Sequence, residues 1–495
     1  MTMSRGRLRS AANCVTAMRK SLFIETRPSW ALRRPALFGE IPRTSERVGQ
    51  AHSPRLPWYR CWLVSVHFRG SGAVGGFVPR RCYTATHQHD QEGLPRQGGP
   101  PMRWASAISQ RVALNDALDE CAATLVRDLD GGEPDLTVAF VSPHFNPQID
   151  RIAPAVKRRF AHAVFIGCTG AGVIGAGKEV EGAPGFSLTA ATLPGVTLTP
   201  FRATQSRMPS PDAPPEEWAR VVGAQPADDP HFIVLTDPFS FDGETFVAGL
   251  DYAYPRATKV GGMASSGQRA QTNALFLGED LFRDGAVGVA MSGNVVVDTV
   301  VAQGCRPIGR PMRISRVDGN LLRALDDRPA MAVLQDLFYS LSPRDRSLLQ
   351  GNLFLGIAMD PLADTARAGD FLIRNVLGGD DRTGSVAVAA HLREGQLVQF
   401  HVRDAETSRE DLRGVLEGYQ REQRGGPPAG ALLFQCTGRG RHLYGEADHD
   451  PRLFLELVGA LPLGGFFCNG EIGPVSGTTY LHSYTSSFGL FRPRS

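Results

Sequence analysis

Ala431-Leu-Leu-Phe-Gln-Cys436-Thr-Gly-Arg439-Gly-Arg441-His442 decides how this chain is read. An apolar run closes on a cysteine, and glycines and charges follow at once. Such a run, bounded by turn residues, reads as a buried strand. A helix is expected over 451–460. A second apolar run, Leu463-Gly-Gly-Phe-Phe-Cys468, then turns through Asn469-Gly470-Glu471-Ile-Gly-Pro474 towards Leu481-His482, and Thr485–Phe491 closes the set as a strand.

The same order occurs twice upstream. Leu136–Ser142, a helix over 148–160, Val164–Gly167 with its glycines to Gly177, and Gly185–Leu193 form one copy. His231–Asp237, a helix over 243–252, Lys259–Gly267 and Gly285–Ser292 form another. Self-similarity of this kind marks a repeated supersecondary unit. The fold expected is mixed α/β (α+β), with two strand-rich domains built from repeated strand–helix–Gly-rich strand–strand units. Three further readings complete the body. Ser106–Leu129 has helical spacing. So does 306–349, through Leu321, Leu322, Leu325, Val333, Leu334 and Leu337. Val386–His391 with Leu397–Val402 reads as an added hairpin. The domain division expected is 102–305, a helical connection over 306–350, and 351–495.

The first 101 residues stand apart. They hold 16 Lys+Arg against 5 Asp+Glu, while the other 394 hold 37 against 45, a balance of −8. A mildly acidic body argues against nucleic-acid binding through a basic face. Three readings fit the basic segment: an organellar transit peptide, a disordered arm, or a start assigned too far upstream of Met102. The last is adopted, and no stable core is expected before Met102. Eight scattered cysteines without a Cys-x-x-Cys pair suit reduced, buried thiols and a cytoplasmic place, or an organelle if the leading segment is a true transit sequence. No run reaches transmembrane length, so no membrane insertion is expected.

The turns that end the first strand of each copy, Ser142-Pro-His144, Asp237-Pro-Phe-Ser240 and Cys436-Thr-Gly-Arg439, lie where ligands sit in open α/β sheets. In the third copy Arg439 offers a fork for a carboxylate or phosphate. Glu471 offers a partner for a cation, and Asn469 offers paired hydrogen bonds. His442 and His482 are candidate bases beside Cys436 and Cys468, whose nucleophilic use would need a lowered pKa. The glycines from Gly170 to Gly177 fit neither a dinucleotide fingerprint nor a P-loop, because Glu179 follows Gly177-Lys178 where a hydroxyl belongs. No histidine pair has zinc spacing, so neither cofactor nor metal is expected.

These residues resemble the FIST family, whose proteins pair an N-terminal and a C-terminal FIST domain. The resemblance covers roughly 130–490. It is strongest in Cys436-Thr-Gly-Arg-Gly-Arg, Gly465-Phe-Phe-Cys-Asn-Gly-Glu-Ile-Gly-Pro-Val475 and Leu481-His482, and looser in Phe165–Gly172, Gly185-Phe-Ser and Lys259–Ala264. It implies an intracellular sensory input protein for signal transduction, not an enzyme, that binds a small ligand such as an amino acid. The ligand residues expected are Cys436, Arg439, Cys468, Asn469, Glu471 and His482. Some family members carry fused output domains, and a eukaryotic one carries an F-box. No such module is found after residue 102, so output is expected to pass through a separate signalling partner. A cysteine-dependent enzyme and a protein-recruiting scaffold are the alternatives.

Overall fold

The computed structural model describes residues 101–349, 351–423 and 425–494; the basic segment 1–101, with its targeting and start-site readings, lies outside them but for Pro101. The chain is mixed α/β. Unit one runs β1 (Arg103–Ser109), α1 (Leu114–Asp128), β2 (Leu136–Val141), α2 (Ile149–Arg159), β3 (Val164–Thr169), the hairpin β4 (Gly172–Gly175) and β5 (Lys178–Glu181), and β6 (Phe186–Thr192). Unit two repeats the order as β7 (Val196–Ala203), α3 (Pro215–Val222), β8 (His231–Thr236), α4 (Gly243–Ala253), β9 (Lys259–Met263), β10 (Leu275–Leu277), β11 (Asp280–Phe282) and β12 (Ala286–Gly293).

Unit three opens with β13 (Val296–Ala302) and is then interrupted. The insertion holds β14 (Arg306–Asp318), β15 (Leu321–Leu325), β16 (Arg328–Pro329), α5 (Ala330–Ser340), α6 (Pro343–Leu348), β17 (Leu353–Ala358), β18 (Phe371–Asp380), β19 (Ser385–Val388) and β20 (Leu397–Val402). The unit resumes with α7 (Ala405–Glu422), β21 (Gly430–Cys436), α8 (Arg441–Tyr444), α9 (His449–Val458), β22 (Leu463–Cys468), β23 (Glu471–Val475), β24 (Thr478–His482) and β25 (Ser486–Arg492).

The three units build three sheets of one plan. Their orders are β1-β6-β2-β3-β10-β11, β7-β12-β8-β9-β23-β24 and β13-β25-β21-β22-β4-β5. In each, the two strands that flank α2, α4 or α9 are parallel, with registers such as Cys436↔Cys468. Each sheet borrows its outer hairpin from another unit: sheet one from unit two, sheet two from unit three, sheet three from unit one. The exchange closes a ring, so no unit is complete alone. One apolar centre draws on all three, including Phe140, Ile233, Leu235, Phe434 and Phe466. Phe140 stacks on Phe466 at 4.7 Å, a contact between units one and three. Helices cover the outer faces through separate clusters. The glycine recurring in each second strand has a steric cause. A Cβ at Gly167, Gly261 or Gly465 would run into the carbonyl oxygen of Ala139, Val234 or Leu433.

The insertion is an antiparallel barrel. Its strands follow β14-β20-β17-β18-β19-β15, and a β14–β15 pairing closes it. Three local expectations change here. The helical connection over 306–350 begins as strand. Leu321 and Leu322 pair with Val317 and its neighbours across a turn at Gly319, whose φ of 61° breaks any helix, and helix appears only from Ala330. The segments around 386–391 and 397–402 do not pair with each other, because β19 bonds β18 and β15 while β20 bonds β14 and β17. The helix expected from Ser106 starts at Leu114. Arg103–Ser109 is instead a strand paired with β6, and Val112, which completed the helical spacing, is exposed.

Candidate functional site

The first-strand turns of the three units occupy corresponding places, since Ser142, Asp237 and Cys436 each follow the last paired residue of their strand or close it. In all three the backbone N–H there bonds across to the residue before the last strand: Ser142 to Gly185 O, Asp237 to Gly285 O, Cys436 to Thr485 O. The side chains then diverge. In unit one Ser142 Oγ accepts from Gly185 N at 2.9 Å. In unit two Ser240 Oγ accepts from Gly285 N at 3.0 Å and donates to Asp237 Oδ2 at 2.6 Å. In unit three Thr485 N is taken by Glu471 Oε2 at 3.1 Å. Glu471 is fully buried, and among the described residues its Oε1 has no hydrogen-bond partner.

Arg439 does not face a free space. It is fully buried, and its Nε and Nη2, the two donors of its side-on edge, reach Asp450 Oδ2 and Oδ1 at 2.6 and 3.3 Å. Nη2 also donates to Tyr444 Oη at 2.7 Å. Asp450 further accepts from Ser486 Oγ and lies 2.8 Å from His449 Nδ1. Burial works against the Asp450 charge, but Arg439 outweighs it and holds the carboxyl well below its ordinary range. The anion expected from a ligand is thus supplied by the protein's own helix α9.

A second arginine has the opposite condition. Arg403 follows β20 directly and is 4% exposed. Among the described residues its Nε and Nη2 have no hydrogen-bond partner, so its whole side-on edge is buried and unpaired. Its guanidinium lies over the Tyr484 ring, 5.1 Å from the centroid. A methyl placed on Gly438 would touch Arg403 Nη1 at 3.0 Å, Cys436 Sγ at 3.8 Å and Tyr484 Cδ1 at 3.8 Å. These groups therefore converge on the Gly438 backbone. Burial pushes Glu471 up to about 8, with Arg403 among the groups opposing the shift. Burial, then the neighbouring Glu471, pushes the Cys436 thiol up to about 11, so at neutral pH it is a neutral wall group.

The expected ligand residues divide accordingly. Cys436 and Glu471 stand together, with Arg403 where Arg439 was expected. Cys468 is fully buried, with Sγ 3.5 Å from Phe466 O. His482 is buried, its Nε2 is 2.9 Å from Gly473 O, and burial lowers it to about 4, which makes it a core histidine. Asn469 is exposed, and His442 is exposed as well. Among the described residues no group of His, Cys, Asp and Glu could hold a metal ion. Arg403 was missed although a signal existed: an arginine closing the apolar run Leu397–Val402, as Ser142, Asp237 and Cys436 close theirs.

The comparisons with known proteins agree with the fold's extent. The chain matches the FIST N domain over 135–328 and the FIST C domain over 330–474. An uncharacterized protein of Mycobacterium tuberculosis is 36% identical over 393 residues, covering 79% of this chain and all of the relative. One of Mycobacterium bovis is 35% identical over 393 residues, 79% of this chain and 99% of its own length. An F-box/LRR-repeat protein of Arabidopsis thaliana is 27% identical over 132 residues, 24% of this chain and 25% of that protein. A solved cyanuric acid hydrolase from A. caulinodans aligns over 80% of this chain and all of its own at 7% identity, with a TM-score of 0.30, too remote for any inference. The chain belongs to the FIST family.

Proposed function

We propose that this chain is a sensory input module that binds a small metabolite bearing a carboxylate and a hydrogen-bond donor, of which an amino acid is the simplest case. FIST domains are sensory domains, consistent with a role in signal transduction. The observation that carries the finer reading is the unpaired, buried side-on edge of Arg403. Two unsatisfied guanidinium donors are costly to bury, and their spacing suits the two oxygens of one carboxylate. Glu471 Oε1 supplies the second anchor, for an ammonium or other donor. The site holds its ligand without transforming it, and the signal passes to a separate protein. A cytoplasmic place suits the buried free thiols Cys121, Cys168, Cys305, Cys436 and Cys468. Among the described residues no helix is long and apolar enough to cross a membrane.

The test is a thermal-shift panel of amino acids, organic acids and nucleotides on the full chain. A ligand at about 100 times its Kd stabilises the fold by roughly 2.7 kcal/mol. The shift should disappear in Arg403→Met and persist when Arg441, an exposed turn arginine, becomes Ala. A shift that survives Arg403→Met would overturn the reading.

A further inference from the structure

The site lies against the seam where the barrel joins the three-unit body, and both chain links between them are involved. The first runs through Gln303, Gly304 and Cys305, the second through Arg403 and Asp404. Arg403 and Cys305 are electrostatic neighbours of Cys436 and Tyr484. Gly304, in the first link, has a φ of 67°. Tyr484, on the body side, has a φ of 68°, a conformation that costs a non-glycine residue energy and persists only where its surroundings impose it.

What joins barrel to body away from these links is mostly polar, including the exposed pair Arg344 Nη2 to Glu406 Oε2 at 2.7 Å. Tyr484 Oη donates to Asn375 Oδ1 at 2.5 Å, and its ring packs on Phe354 with centroids 4.4 Å apart. Arg374 donates to Leu481 O at 3.2 Å and to Glu244 at 2.7 Å. From the first link itself, Gln303 Nε2 donates to Gly369 O at 3.1 Å. The apolar cluster here has four buried members, Cys305, Phe354, Phe371 and Ile373, against the far larger centre of the body. Arg403 leaves the barrel strand β20, whereas Glu471 and Cys436 belong to the body. Elements with few apolar contacts and mostly polar seams are the ones that open below global unfolding.

Resting on the ligand reading above, we propose that the ligand is a clasp between barrel and body: its carboxylate is held from the barrel side by Arg403 and its donor from the body side by Glu471, so that occupancy closes the seam and the position of the barrel reports the ligand. A ligand shifts such an equilibrium only by its differential affinity for the closed state. A molecule that touches both sides has that difference, and one that touches Arg403 alone lacks most of it.

Hydrogen exchange followed by mass spectrometry on the full chain tests this, with two probes and one variant. Glycine carries both a carboxylate and an ammonium, and acetate carries only the carboxylate. Glycine should slow exchange over 353–375 and 483–487 by about tenfold, the equivalent of 1.4 kcal/mol. Acetate should do clearly less, and β2 and β8 should not change. The variant Gly438→Ala needs no ligand. Its methyl meets Arg403 Nη1 at 3.0 Å and makes the guanidinium give by a few tenths of an ångström, so seam exchange should rise while β2 and β8 stay as they were. A thermal shift with glycine but unchanged seam exchange would overturn the clasp and leave the binding reading intact. Seam exchange in Gly438→Ala equal to the unsubstituted protein, or a rise spread over the whole chain, would overturn it too. Glycine without any thermal shift, beside a seam opened by Gly438→Ala, would sink the amino-acid ligand and not the clasp.

Discussion

Arg439 and Arg403 are both buried near the third turn and present the same side-on pair of donors, yet only Arg439 is filled, by Asp450. The contrast extends to the turns themselves. Units one and two close theirs with local hydroxyls, Ser142 and Ser240. In unit three the N–H goes not to a turn hydroxyl but to a carboxylate from β23, which satisfies it with one oxygen and leaves the other without a partner among the described residues. A repeated fold can thus leave a buried carboxylate oxygen unpaired at one of its three turns. Its geometry comes from the same sheet plan, and only the acceptor is moved.

The largest expected effect separates the two arginines. Arg439→Ala leaves Asp450 buried without its charge partner and should cost about 3–5 kcal/mol. Arg403→Met removes a buried charge that has no ion pair among the described residues and loses only its place over the Tyr484 ring, so it should cost about 2 kcal/mol or less, the range of a cation–π contact. Urea unfolding of both variants reads the difference. Equal losses would mean that Arg403 is as structural as Arg439.

Ser142→Ala sharpens the comparison of the turns. It leaves Gly185 N buried without its acceptor, and should cost about 1–3 kcal/mol. Ligand-induced thermal shifts should not change, because unit one's turn is closed. A Ser142→Ala protein with normal stability but altered ligand response would place the binding site in unit one.

Much of this was legible in the sequence, for one physical reason. The strand–helix–Gly-rich strand order recurs because each second strand needs a glycine under its neighbour's carbonyl, as at Gly167, Gly261 and Gly465. The motif residues around Cys436 and Glu471 marked the turn where these two buried groups meet. What could not be read was partnership across distance. Asp450 lies only eleven positions from Arg439, but nothing in its spacing says that it turns inward to fill the fork. Arg403 lies 68 positions before Glu471, at the end of an inserted barrel whose closure depends on pairings between β14 and β15 and between β14 and β20. The hairpin exchange is equally invisible, since β4–β5, β10–β11 and β23–β24 have the same local pattern whichever sheet receives them.

The subtlest prediction concerns pH. Burial, above all, pushes both Glu471 and Glu179 up to about 8, from an ordinary value of 4.5. Between those values the folded chain holds protons that the unfolded chain has lost, so stability falls as pH rises. The buried His231, His401 and His482 act the other way, but only between about 4 and their ordinary 6.5. Above 6.5 and up to about 8 the two carboxyls remain, each contributing at most about 1.4 kcal/mol per pH unit. Glu471→Gln should therefore flatten that limb by up to half, measured by urea unfolding across the window. An unchanged slope would mean that Glu471 is ionised in the folded chain without a ligand. The same carboxyl links pH to binding. A ligand ammonium needs it ionised, so the affinity of the unsubstituted protein for glycine should rise with pH through this window, and that rise should vanish in Glu471→Gln.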